Sequence, residues 1–230
     1  MKLVAPAIVL AAMLGCSPEK SADHSEAEAS RDHPGAVPRV IHLFDGASLN
    51  GWTRVGGGAT YRVEDDCIVG EVGPGSNTFL RTNVEYADFD LTLEVRLDMP
   101  GNSGIQFRSH QKDGTGQVYG YQCEIDPSPR AWSGGLYDEG RRGWLVPLDR
   151  DEHAAARAAF RVHDWNTYRI RAVGPRIQTW VNGVPCVDVE DDADASGFIA
   201  LQVHSGASGR IRWRNLVLTD LSETSGEQSP

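Results

Sequence analysis

The sequence predicts an all-β protein that folds as a sandwich, or jelly roll, of two antiparallel sheets. Its 230 residues include 25 glycines and 12 prolines, which are scattered between short apolar runs. Within those runs, apolar and polar residues alternate with a period of two, as expected for strands with one buried face. Turn signals recur roughly every ten residues, a spacing typical of sandwiches and jelly rolls.

The clearest predicted strand is FDLTLEVRLDM (89–99), in which the apolar residues at 89, 91, 93, 95 and 97 share one face. GNSGIQFRSH (101–110) alternates in the same way. Only RDEHAAARAAF (150–160) predicts a helix, because it is rich in alanine and begins with acidic residues. Further strands are predicted in TYRVEDDCIVGEV (60–72), VYGYQCEID (118–126), NTYRIRAV (166–173), RIQTWVNGVPCVDV (176–189), GFIALQVHSG (197–206) and RIRWRNLVLTDL (210–221).

The N-terminus resembles a bacterial lipoprotein signal. Lys2 precedes a short apolar run, Val4 to Met13, that is too short to span a bilayer and stops at the tripeptide LGC. This pattern predicts a signal peptide over 1–15 and lipidation of Cys16. Ser17 after that cysteine favours anchoring in the outer membrane of the cell envelope, and a plain signal peptide with an incidental cysteine is the alternative.

The remaining chain divides by composition into three parts. Residues 16–39 are small, polar and rich in proline towards their end, which predicts a flexible tether. Residues 40–221 carry the β pattern and are predicted to form one domain. Residues 222–230 are predicted to be a disordered tail.

Charge and cysteine content limit the partners. The formal net charge is −10, so the chain is a poor binder of nucleic acid or anionic lipid, and contact with a membrane is expected only through the lipid anchor. Cys67, Cys123 and Cys186 lack the spacing of a zinc site. Each lies in a predicted strand, so we expect buried thiols, with one disulfide as the alternative in an oxidising compartment.

Three predicted strands share an unusual polar face. Their solvent-side positions carry amides, carboxylates, arginine and histidine and almost no lysine. Sugar hydroxyls both donate and accept hydrogen bonds, so such side chains suit a carbohydrate site, and aromatic faces would stack on the sugar ring. The polar set is Gln106, Arg108, His110, Gln122, Glu124, Asp126, Gln202 and His204, and the available aromatic residues are Trp132, Tyr137, Trp144 and Trp180.

Glu124 and Asp126 are similar to the Glu-x-Asp motif of laminarinase-like glycoside hydrolases. Retaining hydrolysis needs two carboxyl groups that flank the bond, and those enzymes supply the second shortly after the aspartate. In EIDPSPRAW (124–132), proline and arginine stand there instead. A classical retaining glycosidase is therefore disfavoured.

Eight motifs in order resemble the 3-keto-disaccharide hydrolase domain family. They span residues 40–221 and are individually weak. The motifs are LFDGASLNGW (43–52), YADFDLTLEVR (86–96), GNSGIQFR (101–108), YQCEIDP (121–127), SGGLYD (133–138), DWNTYRI (164–170), WVNGV (180–184) and IALQVHSG (199–206). The resemblance implies a concanavalin A-like jelly roll, and substrates that are glycosides already oxidised at C3 of the sugar.

A C3 ketone acidifies the hydrogen on C2, so one base can remove it while the glycosidic oxygen leaves C1, after which water adds back. This route needs a base, a stabiliser for the enolate and a proton source. Side-chain chemistry and strand phase predict Glu124 as base, Arg108 as enolate stabiliser and His204 as acid or second base. Sugar-orienting roles are predicted for Gln106, Gln122, Asp126, Tyr137, Trp132 and Gln202.

Several alternatives stay open at this point. Arg108 and Glu124 could form a structural cross-strand ion pair, His204 could be a satisfied histidine at a strand end, and Asp126 could begin a turn. No cofactor motif is evident. The acidic run at 188–194 lacks a calcium-loop spacing, so a metal site is not predicted, although Ca²⁺ is compatible with the fold class. The competing function is a non-catalytic surface carbohydrate-binding module.

Overall fold

The computed structural model describes residues 38–222, which form two antiparallel β-sheets with very little helix. This confirms the predicted all-β jelly roll. The predicted helix at 150–160 is shorter in the structure, where a 3₁₀ turn, Asp151–His153, leads into α1, Ala154–Arg157. The signal peptide, Cys16 and most of the tether lie outside the described residues, as does nearly all of the predicted tail.

Sheet I contains eight strands. β6 (Phe89–Met99) and β15 (Arg210–Asp220) lie at its centre and pair with each other. Strand β1 (Arg39–His42) also pairs with β15 and begins one residue before the predicted domain boundary. The order across the sheet is β13 (Val184–Glu190), β12 (Arg176–Val181), β11 (Asn166–Val173), β6, β15, β4 (Cys67–Glu71) and β3 (Thr60–Glu64).

Sheet II contains seven strands and carries most of the predicted site residues. Its three central strands hold the three polar faces predicted from sequence. The order across the sheet is β10 (Gly143–Val146), β9 (Leu136–Glu139), β8 (Val118–Ile125), β7 (Ser103–Gln111), β14 (Gly197–Val203), β5 (Thr78–Tyr86) and β2 (Trp52–Gly56).

The core fills the space between the two sheets. The five apolar residues of β6 that were predicted to share a face are all buried in it. Sheet II contributes the opposite wall, including Ile105, Phe107, Tyr121, Cys123 and Ile125. Burying such side chains stabilises the fold by about 1.5–3 kcal/mol each. Because these residues must face inwards, the alternate positions of β7 and β8 are forced onto the outer face of sheet II.

A β-bulge interrupts this alternation at Arg108. The register between β7 and β8 shifts between Phe107 and His110, and Arg108 has a positive φ of 44°. The neighbouring strands present glycine to the bulge. A Cβ on Gly120 would lie 2.8 Å from Ser109 Cα, and one on Gly197 would lie 2.5 Å from the carbonyl carbon of Arg108. The bulge therefore turns Arg108 out of the phase that strict alternation predicts.

The cysteines Cys67, Cys123 and Cys186 are buried free thiols, as predicted. Within the described part of the chain, no helix has the length and apolar character needed to span a membrane.

Candidate active site

A cleft of about 430 Å³ opens on the outer face of sheet II. It is lined mainly by amide, carboxyl and aromatic side chains from β8, β9, β10 and the loops beside them. The lining residues are Asn77, Asn102, Gln122, Glu124, Asp126, Ser128, Arg130, Tyr137, Glu139, Trp144 and His204. The structure thus brings Glu124, Gln122, Asp126, Tyr137 and His204 of the sequence-predicted set into one cleft.

Glu124 is 4% exposed in this cleft. Asn102 Nδ2 donates to Oε1 at 2.6 Å, and Gln122 Nε2 donates to Oε2 at 2.9 Å. The guanidinium of Arg130 lies 3.5 Å from Oε1. Burial raises the pKa of Glu124, while the two amide hydrogen bonds act in the opposite direction. A carboxylate with a raised pKa and an oriented geometry is suited to act as a general base.

A chain of side-chain amides holds Gln122 in place. Ser109 Oγ donates to Gln106 Oε1 at 2.8 Å, and Gln106 Nε2 donates to Gln122 Oε1 at 2.6 Å. Because the Gln122 oxygen is occupied in this way, its NH₂ group is the part that faces Glu124. Gln106 is fully buried, so it acts on the site through Gln122 and makes no contact with a ligand in the cleft.

Gly104 gives the Gln122 side chain the room that it needs. Gly104 lies opposite Glu124 in the β7–β8 register and opposite Gln202 in the β7–β14 register. A Cβ at this position would overlap the Gln122 side chain at Cγ, Cδ and Nε2. The absence of a side chain at 104 therefore allows Gln122 to lie across the strand and reach Glu124.

Glu139 is a second carboxyl group in the cleft, and the sequence prediction missed it. It accepts hydrogen bonds from Asn77 Nδ2 at 3.2 Å and Gln202 Nε2 at 3.4 Å. Burial raises its pKa. Laminarinase-like hydrolases carry their second carboxylate shortly after the aspartate of the motif, whereas here Glu139 comes from the neighbouring strand β9. Period-two alternation could have found it, because Glu139 shares a face with Tyr137, which was predicted.

An aromatic wall stands beside the carboxyl groups. The Trp132 and Trp144 rings meet edge-on at 4.9 Å, and the Tyr137 ring lies 5.1 Å from that of Trp144. The Arg130 guanidinium sits 4.5 Å from the Trp132 ring centre. Such rings offer an apolar surface to the C–H faces of a sugar. Burial is the main cause that raises the pKa of Tyr137, and the nearby carboxyl groups raise it further, so this phenol keeps its proton.

His204 lies at the exposed rim of the cleft, where its Nδ1 is 2.7 Å from the Ser205 carbonyl oxygen. A neighbouring cleft of about 480 Å³ shares Asn77, Glu139 and His204 with the first. These three residues therefore form the boundary between two adjoining spaces.

Asp126 holds the loop that carries Arg130. Its carboxylate accepts from the Ser128 amide at 3.0 Å, from the Trp132 amide at 3.2 Å and from Arg130 Nε at 2.8 Å. Burial opposes the charge of Asp126, but hydrogen bonds from Ser128 and Arg130 outweigh burial and lower its pKa. Asp126 therefore organises a turn, which was one of the alternatives left open by the sequence. It also lines the cleft and holds Arg130 in position.

The predicted placement of Arg108 in the cleft is wrong. Arg108 is 1% exposed, and its guanidinium donates to the carbonyl oxygens of Ala87 at 2.8 Å and Gly174 at 2.7 Å. It also forms an ion pair with Asp88 at 2.8 Å. The bulge in β7 is the physical reason. Arg108 ties β7 to the connection between β5 and β6 and to the β11–β12 turn of sheet I, and it neither pairs with Glu124 nor lines the cleft.

The cleft instead contains the guanidinium of Arg130, a residue that the sequence analysis noted only because it stands where a second carboxylate would be expected. Gln202 is also placed differently from the prediction, because it is fully buried beneath Glu139 and orients that carboxyl group. Trp132 lies in the aromatic wall and packs on Trp144. Among residues 38–222, no group of three or more histidine, cysteine, aspartate or glutamate side chains is arranged to hold a metal ion.

A two-sheet jelly roll with an amide- and carboxyl-lined cleft next to tryptophans is the architecture of a carbohydrate-active β-sandwich. The sequence profile of the 3-keto-α-glucoside-1,2-lyase-like domain matches residues 39–219, and the chain belongs to that family. Family membership indicates a glycosyl hydrolase-like or carbohydrate-binding function. Among curated proteins, no sequence matches the chain significantly.

Solved structures with the same fold are distant in sequence. A proposed glycosyl hydrolase from Parabacteroides distasonis is 16% identical, with a TM-score of 0.57, and the match covers 79% of this chain and 94% of that one. The carbohydrate-binding module CBM66 from Bacillus subtilis is 14% identical, with a TM-score of 0.53 and coverage of 76% and 98%. A Bacillus subtilis protein with a galectin-like fold is 12% identical, with a TM-score of 0.56 and coverage of 75% and 90%. These similarities establish the fold.

Proposed function

We propose that this domain cleaves glycosides whose sugar is already oxidised to a ketone at C3, and that it does so by elimination followed by hydration. The observation that carries the proposal is the buried Glu124 carboxyl group, which faces a sugar-sized cleft in a member of the 3-keto-α-glucoside-1,2-lyase-like family. Its oxygens are held by amide donors, and the guanidinium of Arg130 lies 3.5 Å away, at the edge of hydrogen-bond range.

In the elimination step, Glu124 takes the proton from C2. The electron pair of that C–H bond forms the C1=C2 double bond, which is conjugated with the C3 ketone, and the C1–O bond breaks. Negative charge that develops on the ketone oxygen needs a nearby donor or cation. Arg130 supplies the positive charge that sequence reasoning had assigned to Arg108. In the hydration step, hydroxide from water adds to C1 and a proton returns to C2.

The proton for the leaving oxygen has two candidate sources in the cleft. His204 was predicted for this role from sequence and lines the rim. Glu139 lies beside it and lines the same cleft. Either group would complete the set of base, stabiliser and acid that the reaction needs.

Incubation of the protein with a 3-keto-glucoside, beside the unoxidised parent glucoside, tests the proposal. Wild type is expected to release the aglycone from the 3-keto compound alone. Glu124→Gln should lower the rate by about 10²–10⁴-fold, the usual cost of losing a general base. The variant keeps its local hydrogen bonding, because the partly exposed Asn102 can turn its side-chain amide so that its oxygen accepts a hydrogen bond from the new NH₂ group. Glu85→Gln, on the exposed face of β5, is the matched control and should retain the wild-type rate.

Two results would contradict the proposal. Equal cleavage of the parent glucoside would indicate an ordinary glycosidase that uses Glu124 and Glu139 as its carboxyl pair. Binding of glycans without cleavage of either compound would indicate a carbohydrate-binding module, with Trp132, Trp144 and Tyr137 as its stacking surface.

A further inference from the structure

The surroundings of Glu139 differ in charge from those of Glu124. Both side chains are largely buried, but Glu124 has the Arg130 guanidinium 3.5 Å away. Glu139 receives hydrogen bonds from two neutral amides, Asn77 and Gln202, and no lysine or arginine among residues 38–222 forms an ion pair with it. Burial raises the pKa of Glu139 and favours its protonated form, and it outweighs the opposing effects of Asn77, His204 and Gln202.

Gln202 gives an independent sign of a proton on Glu139. Its Oε1 is buried and has no hydrogen-bond donor, while its Nε2 lies at a long 3.4 Å from Glu139 Oε2. The two ends of an amide are equivalent in shape, so a turn of the Gln202 amide exchanges them. With Oε1 beside the carboxyl group, a protonated Glu139 would donate to it. The oxygen would then have the donor that a buried acceptor requires, while the NH₂ group would move to the position that has no partner now.

The position of Glu139 relative to the clefts matches that of a leaving-group acid. Glu139, with Asn77 and His204, lines both the cleft of Glu124 and the adjoining cleft. A sugar bound beside Glu124, with its substituent in the adjoining cleft, would have its glycosidic oxygen at this boundary. The titratable groups that face Glu139 are Tyr137 from its own strand, His204 from the end of β14 and Glu124 across the cleft from β8.

We infer that Glu139 protonates the leaving oxygen during elimination and takes a proton from water during hydration. The inference rests on the proposed function. When Glu124 removes the C2 proton and the C1–O bond breaks, the departing oxygen takes the Glu139 proton. In hydration, the Glu139 carboxylate takes a proton from water, hydroxide adds to C1, and Glu124 returns its proton to C2. Both carboxyl groups end in their starting states.

Leaving groups of different acidity test this role. A 3-keto-glucoside of 4-nitrophenol releases a stable anion and needs little help from an acid, whereas a methyl 3-keto-glucoside releases a strongly basic alkoxide. Glu139→Gln should lower kcat/KM for the methyl compound by about 10²–10⁴-fold and change the nitrophenyl compound only slightly. Glu124→Gln should slow both compounds, His204→Asn should show no such split, and Glu85→Gln should match wild type.

Equal losses with both compounds in Glu139→Gln, or no loss with either, would overturn the role of Glu139 while leaving the proposed function intact. Failure of wild type to cleave either compound would instead overturn the proposed function, and the inference with it. If Glu139→Gln does not fold, wild type alone decides. Its rate should fall at alkaline pH with the methyl compound and not with the nitrophenyl compound, and the same fall with both would overturn the role.

Discussion

Glu124, which is buried, and Glu139, which is partly buried, line one cleft, and their different neighbours separate their chemistry. Glu124 is held by Asn102 and Gln122, with Arg130 nearby, so its charged form has support. Glu139 has amide partners, and no lysine or arginine among the described residues forms an ion pair with it. Paired carboxyl groups in unlike surroundings are a common way for one site to hold both a base and an acid.

The dependence of kcat/KM on pH should be bell-shaped for a 3-keto-glycoside with a poor leaving group. Glu124 must lose its proton to act, so the rate rises as pH passes its pKa, which burial raises above the ordinary value of 4.5. Glu139 must keep its proton, so the rate falls above its own raised pKa. Because the two carboxyl groups share one cleft, the apparent pKa values of the acid and alkaline limbs belong to the Glu124–Glu139 pair and not to either residue alone. Glu139→Gln, assayed with the methyl compound at its residual rate, should lack the alkaline limb, and an acid limb at or below 4.5 would contradict the assignment of Glu124.

Substitution of Arg108 should lower stability, whereas substitution of Arg130 should lower turnover. Arg108→Met removes the guanidinium donor from Asp88 and from three backbone carbonyl oxygens, while Asp88 keeps the Gly174 amide as a donor. We expect a loss of unfolding free energy on the order of 3 kcal/mol, near the low end for a buried ion pair, because Asp88 is one-third exposed. Arg130→Met should lower turnover with a much smaller loss of stability, because its side chain is 40% exposed. Chemical denaturation and turnover of both variants check this. Lost turnover with unchanged stability in Arg108→Met would contradict it.

At the scale of a strand, the bulge in β7 explains where prediction from sequence fails. The alternation of Gln106, Arg108 and His110 looks unbroken in the sequence, so nothing local indicates an extra residue. Gly120 and Gly197 are informative only once they are known to lie beside Ser109 and Arg108, which is a property of the folded sheet. Strands with uninterrupted alternation, such as β6, were predicted correctly because burial of one face determines their phase.

Gly104 provides a test of the support around Glu124. Gly104→Ala adds a methyl group that would overlap the Gln122 side chain and push it away from Glu124. Because this glycine is not in the left-handed region, we expect a folded protein with strongly reduced kcat. Gly206→Ala is the matched control, since its Cβ would lie 3.9 Å from the nearest atom outside its chain neighbours. Turnover and thermal unfolding are measured for both, and wild-type kcat in Gly104→Ala would show that Gln122 does not position Glu124.

The site was only partly predictable for a related reason. Glu124 and Gln122 lie on a predicted strand whose phase is set by buried neighbours, so alternation alone places them on the outer face of sheet II, whereas the strand that carries Tyr137 was not predicted. Glu139 was missed because its place in the cleft depends on the pairing of β8 with β9, which sets Tyr137 opposite Gln122 and Glu139 opposite Gly120, and not on spacing along the chain. Arg130 was missed because its position depends on the loop that Asp126 organises.

For the whole molecule, we propose anchoring at the cell envelope through a lipid on Cys16, followed by a tether that ends where β1 begins. Metabolic labelling with palmitate checks this proposal in the organism that makes the protein. The full-length chain should be labelled, because Cys16 follows the predicted signal peptide. It should be recovered with the outer membrane, because Ser17 follows that cysteine. Cys16→Ala should abolish the label. An unlabelled wild type, or equal labelling of Cys16→Ala, would contradict the proposal.

The central claim is that Glu124 removes the proton from C2 of a 3-keto sugar, and hydrogen exchange tests it most directly. The substrate is a 3-keto sugar that lacks a leaving group at C1, so that it can lose and regain the C2 proton but cannot be cleaved. The reaction is run in D₂O and followed by NMR. Wild type and Glu139→Gln should both accelerate deuterium uptake at C2, and the acceleration at C2 should be greater than that at C4. Glu124→Gln should leave uptake at the rate without protein. Uptake by Glu124→Gln at the wild-type rate, or no acceleration by wild type, would contradict the claim.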